Sequence, residues 1–80
     1  MNSDEVLARL TRVFRDVFDD DEIVISPATT ARDVDGWNSL TNIRLMISIE
    51  VEFGIKFDVG EFQEYRSVGD LVAGIVRRAG

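Results

Sequence analysis

Seven apolar residues near the start of the chain, Val6, Leu7, Leu10, Val13, Phe14, Val17 and Phe18, recur at steps of one, three and four. An α-helix gathers that spacing onto one side, so this segment is an amphipathic helix whose apolar stripe must be buried against other elements. Asn2 is placed to cap it, with Glu5 three residues on in capping-box position. The run "DDDE", Asp19 to Glu22, crowds like charges and ends the periodicity, which reads as a solvated helix exit. Eighty residues bury only about six-tenths of the surface their unfolded chain exposes. The stripe therefore belongs to one compact domain spanning residues 1–80.

Further segments supply the partner faces. A second helix is predicted from Ser39 to about Phe53, with Leu40, Ile43, Met46, Ile47 and Ile49 apolar and Gly54 as its C-terminal stop. Leu45 and Val51 widen the stripe, so one face is expected to pack on the first helix while part of another meets a ligand or partner. A short third helix is placed between Val59 and Tyr65, with Phe62 and Tyr65 three apart. The last helix follows Ser67 and Asp70, a capping-box-like pair, and carries Leu71, Val72, Ile75 and Val76 at helical spacing. Arg77 and Arg78 then complement its dipole.

Residues 19–38 form a long connection with the only proline, Pro27, and a turn signal at Asp35-Gly36. Such loops are usually functional or pinned by their own apolar residues, and Ile23, Val24, Ile25 and Val34 are the candidate pins. The expected architecture is an all-α four-helix bundle with three longer helices, one short helix and a long first loop.

The chain contains neither cysteine nor histidine. That removes disulfides, thiolate metal sites, and Ser-His or Cys-His catalysis together, so the chain is not expected to be an enzyme. Fifteen acidic against nine basic residues give a net charge of −6, which repels nucleic acid and anionic lipid and favours proteins with basic patches. No apolar run approaches the roughly 18 to 20 residues of a membrane span, and Met1 is followed by polar residues rather than a signal segment. A cytoplasmic monomer without membrane insertion is expected.

Three site readings follow from spacing. "DVDG" suggests a calcium loop, but with Asp35-Gly36 at its fifth and sixth positions, the first and twelfth fall on Ala31 and Asn42, so the ligand pattern fails. Asp33 with Asp35, or Glu50 with Glu52, could be acid-base pairs. Residues two apart do not face each other on a helix, and neither pair has a histidine, so both read as solvated charges. The third reading is Ser39. A hydroxyl at a helix start is ordinarily a cap or first-turn residue. This start nevertheless follows Gly36 and Trp37, and the free N–H groups of a helix N-terminus suit a phosphate ester installed by another enzyme. Trp37 is expected to anchor the loop, with its indole N–H needing a partner if buried.

"GWNSL" followed by "TNIRLMISIEVEFGIKF", residues 36–57, resembles the modification-site region of acyl carrier proteins and peptidyl carrier domains. The family pattern is an aspartate, the modified serine and a leucine, opening a helix that ends in an acidic-Phe-Gly-Ile-like stretch. Ser39 and Leu40 match the serine and leucine, and Glu50 to Ile55 match the helix end. Length, acidity, the long first loop and helix order extend the likeness over nearly the whole chain. Two positions depart from the pattern. Asn38 replaces the usual aspartate, keeping a capping oxygen but losing a charge, and Arg44 stands where many carriers are acidic.

The resemblance implies that a phosphopantetheinyl transferase moves the 4'-phosphopantetheine arm of coenzyme A onto Ser39. The arm then carries acyl or aminoacyl groups as thioesters to the loading, condensing or transfer enzymes of a pathway such as fatty acid or polyketide synthesis. It also explains how such a carrier lacks cysteine, because the arm supplies the sulfur. Asn38, Leu40, Arg44 and Glu50 are the partner contacts it points to. Leu40 either meets partners at the mouth of the site or begins the core stripe, and Glu50 with Glu52 otherwise forms a solvated face. Ile43, Ile47, Phe14 and Leu71 are expected in the core. The competing reading is an unmodified interaction module of the same fold that docks through the second helix.

Overall fold

The computed structural model describes residues 1–79. Four helices follow one another: α1 Ser3–Phe18, α2 Ser39–Phe53, α3 Val59–Glu64 and α4 Val68–Ala79. No strand forms among the described residues, and α1 packs against both α2 and α4. The expected all-α bundle of three longer helices and one short one is what the chain adopts.

The helix ends follow their side chains. Asn2 Oδ1 accepts from the Glu5 N–H at 2.8 Å, satisfying one first-turn donor of α1. Asp19 closes that helix in the left-handed region (φ 51°), its N–H bonding the Arg15 carbonyl. Asp is among the few non-glycine residues that visit this region readily. Gly54 closes α2 in the same way at φ 65°, donating to the Glu50 carbonyl. Ahead of α4, Ser67 and Asp70 exchange bonds of 3.3 Å between side chains and backbone N–H groups. The Asp70 carboxylate also accepts from Arg66 N–H at 2.8 Å.

The α1 stripe is buried as its spacing requires: Val6, Leu10, Val13, Phe14 and Val17 lie inside, with Leu7 and Phe18 packed at the margin. Phe62, Val68, Leu71, Val72 and Ile75 complete the core from α3 and α4. The rotation of α2 differs from expectation. Its buried residues are Leu45, Met46, Ile49 and Phe53, whereas Ile43 and Ile47, expected inside, face outward. Apolar residues surround this helix, so two stripes satisfy helical periodicity. Only the neighbouring helices select between them.

The long loop is pinned by Ile25 and Val34, with Ile23 packed against the core; Val24 is 81% exposed and is no pin. Side chains of an extended segment alternate in direction, so seating Ile23 and Ile25 turns Val24 outward. The loop is also tied across the molecule. Thr30 and Ser67 form an isolated antiparallel bridge, Val68 N–H donates to the Thr29 carbonyl at 2.8 Å, and Gly69 N–H donates to the Pro27 carbonyl at 2.9 Å.

Charged residues tie the helices together. Arg9 bonds both the side chain and carbonyl of Glu52 at 2.8 and 2.6 Å while lying 4.5 Å from the Phe53 ring centre. Arg77 and Arg78 occupy the last turn of α4 as expected, but both also reach Glu61, at 2.9 and 2.7 Å.

Candidate functional site

Asn38 and Ser39, side by side in sequence, have separate tasks. Asn38 is the cap of α2: its Oδ1 accepts from the N–H groups of Leu40 at 2.9 Å and Thr41 at 3.1 Å. Thr41 Oγ1 completes the box by accepting from Asn38 N–H at 2.8 Å, and it donates to the Gly36 carbonyl at 2.6 Å. Gly36 itself sits at φ 88°, a left-handed turn that brings the chain into the cap. Ser39 is the first residue of α2 and is exposed. Among the described residues, nothing hydrogen-bonds its hydroxyl.

The helix N-terminus is less open than the sequence suggested. Asn38 occupies the Leu40 and Thr41 N–H groups, and Asn42 N–H bonds the Asn38 carbonyl at 2.8 Å. Among the described first-turn donors, only the N–H of Ser39 remains for an anion attached there.

Trp37 anchors the loop. Its ring meets Phe14 edge-on, with centroids 5.2 Å apart, and its indole N–H donates to Asn42 Oδ1 at 3.0 Å. The expected need for an indole partner is thus met by a residue one turn into α2. The same bond fixes the Asn42 amide so that its NH₂ group is directed away from Trp37.

Ser39 opens onto a groove of about 720 Å³. Three segments line it: the start of α2 with Trp37 and Asn42, the first loop with Arg32, and the α3–α4 connection with Gln63, Tyr65 and Arg66. Tyr65 is held there by its hydroxyl, which donates to Glu61 at 2.6 Å. The bond from Arg78 is the main cause holding the Glu61 carboxyl down at about 2, with Tyr65 and the charges of both arginines adding to it. Burial, and then the neighbouring carboxylate, push the Tyr65 phenol up.

Of the expected partner contacts, Asn38 is the exposed cap and Arg44 projects from the exposed side of α2. Leu40 is 80% exposed, so it lies outside the core. Glu50 is half-buried and uses one oxygen to accept from Phe57 N–H at 2.9 Å, closing the turn after α2. Ile47, at 52%, and Val51, at 80%, extend the apolar face begun by Leu40 and Ile43. Arg32, Asn42, Gln63 and Arg66 carried no signal of their own in the sequence. Their shared groove exists because the loop bridge at Thr30 and Ser67 draws two distant segments together.

The arrangement fits a serine acting as an acceptor. The hydroxyl is exposed, adjacent to open volume and, among the described residues, unbonded. Among the described residues, no group of three or more acidic side chains could hold a metal ion, and no helix is long and apolar enough to cross a membrane.

Comparisons with known proteins identify the family. Residues 8–75 match the family described as a phosphopantetheine attachment site. The fold is similar to the solution NMR structure of a holo acyl carrier protein from Geobacter metallireducens, with a TM-score of 0.83. The two sequences are 46% identical over 90% of this chain and 83% of that one. No curated protein matches the chain.

Proposed function

The chain belongs to the phosphopantetheine attachment-site family as an acyl carrier protein, a carrier and not an enzyme, and from that premise we propose that Ser39 is the residue holding the arm. The group is a covalently attached 4'-phosphopantetheine, whose terminal thiol supplies the thioester chemistry that this cysteine-free chain cannot. The observation that carries the assignment is Ser39 itself: first in α2, exposed, unbonded, and opening onto the groove.

The division of labour at the helix start supports it. Asn38 and Thr41 hold the turn between them, which fixes the backbone of Ser39 while leaving its hydroxyl free. Thr41, the nearest competing hydroxyl, is already bonded to Gly36 and Asn38. In the transfer, Ser39 Oγ forms a phosphodiester bond with the phosphate of the pantetheine half, the pyrophosphate link of coenzyme A breaks with adenosine 3',5'-bisphosphate leaving, and the serine proton passes to a base on the phosphopantetheinyl transferase.

Partner enzymes are proposed to dock on the outward side of α2. Leu40, Ile43, Ile47 and Val51 form its apolar stripe and Arg44 its charge, with Asn38 and Glu50 at its ends. The first turn of this helix carries no acidic residue. The fitting partner patch is therefore apolar and includes a carboxylate for Arg44, while the net charge of −6 steers approach more broadly. Residues 1–80 act as one such carrier unit, monomeric and cytoplasmic, delivering acyl or aminoacyl groups within a biosynthetic pathway.

The test is intact mass after incubation with coenzyme A, magnesium and a broad-specificity phosphopantetheinyl transferase. Wild type is expected to gain one phosphopantetheinyl group and Ser39→Ala none. A gain by the Ser39→Ala protein would refute the assignment.

A further inference from the structure

The groove beside Ser39 is charged against the trend of the molecule. Asp and Glu make up 15 of the 80 residues, yet none lines this groove, whereas Arg32 and Arg66 both do. By contrast, the depression at the far end of the first loop is lined by Asp19, Asp20, Glu22, Asp33 and Asp35.

The two arginines come from residues 34 positions apart and are brought together by a built feature. Arg32 lies two residues after Thr30, and Arg66 immediately precedes Ser67, the two ends of the isolated bridge. The bonds from Val68 to Thr29 and from Gly69 to Pro27 secure the same junction. Neither guanidinium makes an ion pair or hydrogen bond among the described residues, unlike Arg9, Arg77 and Arg78. The groove's volume of about 720 Å³ falls within the roughly 300–1,000 Å³ of small-molecule sites.

We infer that this groove is an anion-binding site for the arm, in which Arg32 and Arg66 hold an anionic oxygen group that the arm carries. Guanidinium groups are suited to paired contacts with carboxylate or phosphate oxygens. Two groups share that chemistry: the phosphodiester next to Ser39, and a carboxylate at the free end of a short acyl cargo. The inference rests on the reading of Ser39 as the attachment point. It makes the groove a determinant of where the arm rests and, in the second case, of which cargo is held.

The experiment compares apo, holo, glutaryl-loaded and pentanoyl-loaded protein, as wild type and as the Arg32→Gln/Arg66→Gln double variant. The readouts are NMR resonances of the two guanidinium groups, the Trp37 indole N–H and the Asn42 amide. Both arginine side chains are exposed and unbonded, so the variant should fold, which circular dichroism checks. Arginine shifts on going from apo to holo that ignore the cargo, with the accompanying Trp37 and Asn42 shifts lost in the double variant, identify the phosphodiester. Arginine shifts with glutaryl but not pentanoyl, with the accompanying Trp37 and Asn42 shifts lost in the variant, identify the cargo carboxylate. In that case, paired charge-assisted contacts should slow cleavage of the glutaryl thioester by hydroxylamine about tenfold relative to the variant. Unmoved arginine resonances at every step would overturn the inference.

If Ser39 accepts no arm, the attachment reading fails and the mass shows it. Titrating the apo chain with free 4'-phosphopantetheine and glutaryl-pantetheine still reads the groove. Shifts at Arg32 and Arg66 would sustain the anion site, and their absence would overturn it.

Discussion

Replacing Asn38 tests how the chain holds the start of α2, where Ser39 is the proposed attachment point. The Asn38 side chain satisfies two backbone donors, Leu40 at 2.9 Å and Thr41 at 3.1 Å. Asn38→Ala deletes that acceptor. Both donors lie on an exposed turn where water can replace it, so the loss is that of a helix cap, about 1 kcal/mol and at most about 2, rather than that of a buried unsatisfied group. For a domain of this size, each 1 kcal/mol lowers the melting temperature by about 4–8 °C. Asn38→Asp keeps the acceptor and adds a negative charge at the helix N-terminus, a gain of about 0.3–1 kcal/mol that salt diminishes. Urea unfolding followed through Trp37 fluorescence should rank the proteins aspartate, asparagine, alanine in falling stability. Loading at Ser39 should be slower for alanine, because the turn that presents the serine is loosened. Equal stability of alanine and wild type, with aspartate below both, would refute the capping argument.

Leu45→Ala should cost about 2–5 kcal/mol as a core truncation, while Ile47→Ala, on the exposed stripe, should stay within about 0.5 kcal/mol of wild type; urea midpoints decide. Gly74→Ala adds a Cβ that collides with the Tyr65 hydroxyl and ring. Overpacking of about 1–3 kcal/mol should outweigh the roughly 1 kcal/mol of gained helix propensity, and near-UV circular dichroism should report the displaced tyrosine. Glu61 has its folded pKa lowered from 4.5 to about 2, chiefly by the Arg78 hydrogen bond. Its contribution is therefore present above pH 4.5 and lost as pH falls from about 4.5 towards 2. Glu61→Gln should flatten that part of the stability profile, and an unchanged acid limb would contradict it.

The helix boundaries were legible because their signals are local. Asn2 with Glu5 opens α1, Gly54 stops α2, and Ser67 with Asp70 opens α4. Ser39 was not singled out by local signals, which read it as an ordinary cap or first-turn hydroxyl; the resemblance of residues 36–57 to carrier proteins pointed to it. The rotation of α2 was not, because Leu40, Ile43, Ile47 and Val51 form as regular a stripe as Leu45, Met46, Ile49 and Phe53. Only the packing of α2 on α1 within the fold decides which is buried. Val24 was misplaced because an extended segment obeys period two, a pattern three residues are too few to announce. The groove was wholly hidden, since Arg32 and Arg66 come to line it together through a backbone bridge between Thr30 and Ser67 that leaves no mark on side-chain patterning.

The central claim, that the arm is borne by Ser39, is tested most directly by mapping it within the loaded protein. Tryptic cleavage after Arg32 and Arg44 releases residues 33–44, whose hydroxyl-bearing residues are Ser39 and Thr41. Fragment masses of that peptide should place the phosphopantetheinyl group on Ser39 and leave Thr41 bare. A group on Thr41, or on the neighbouring peptide that contains Ser48, would contradict the account.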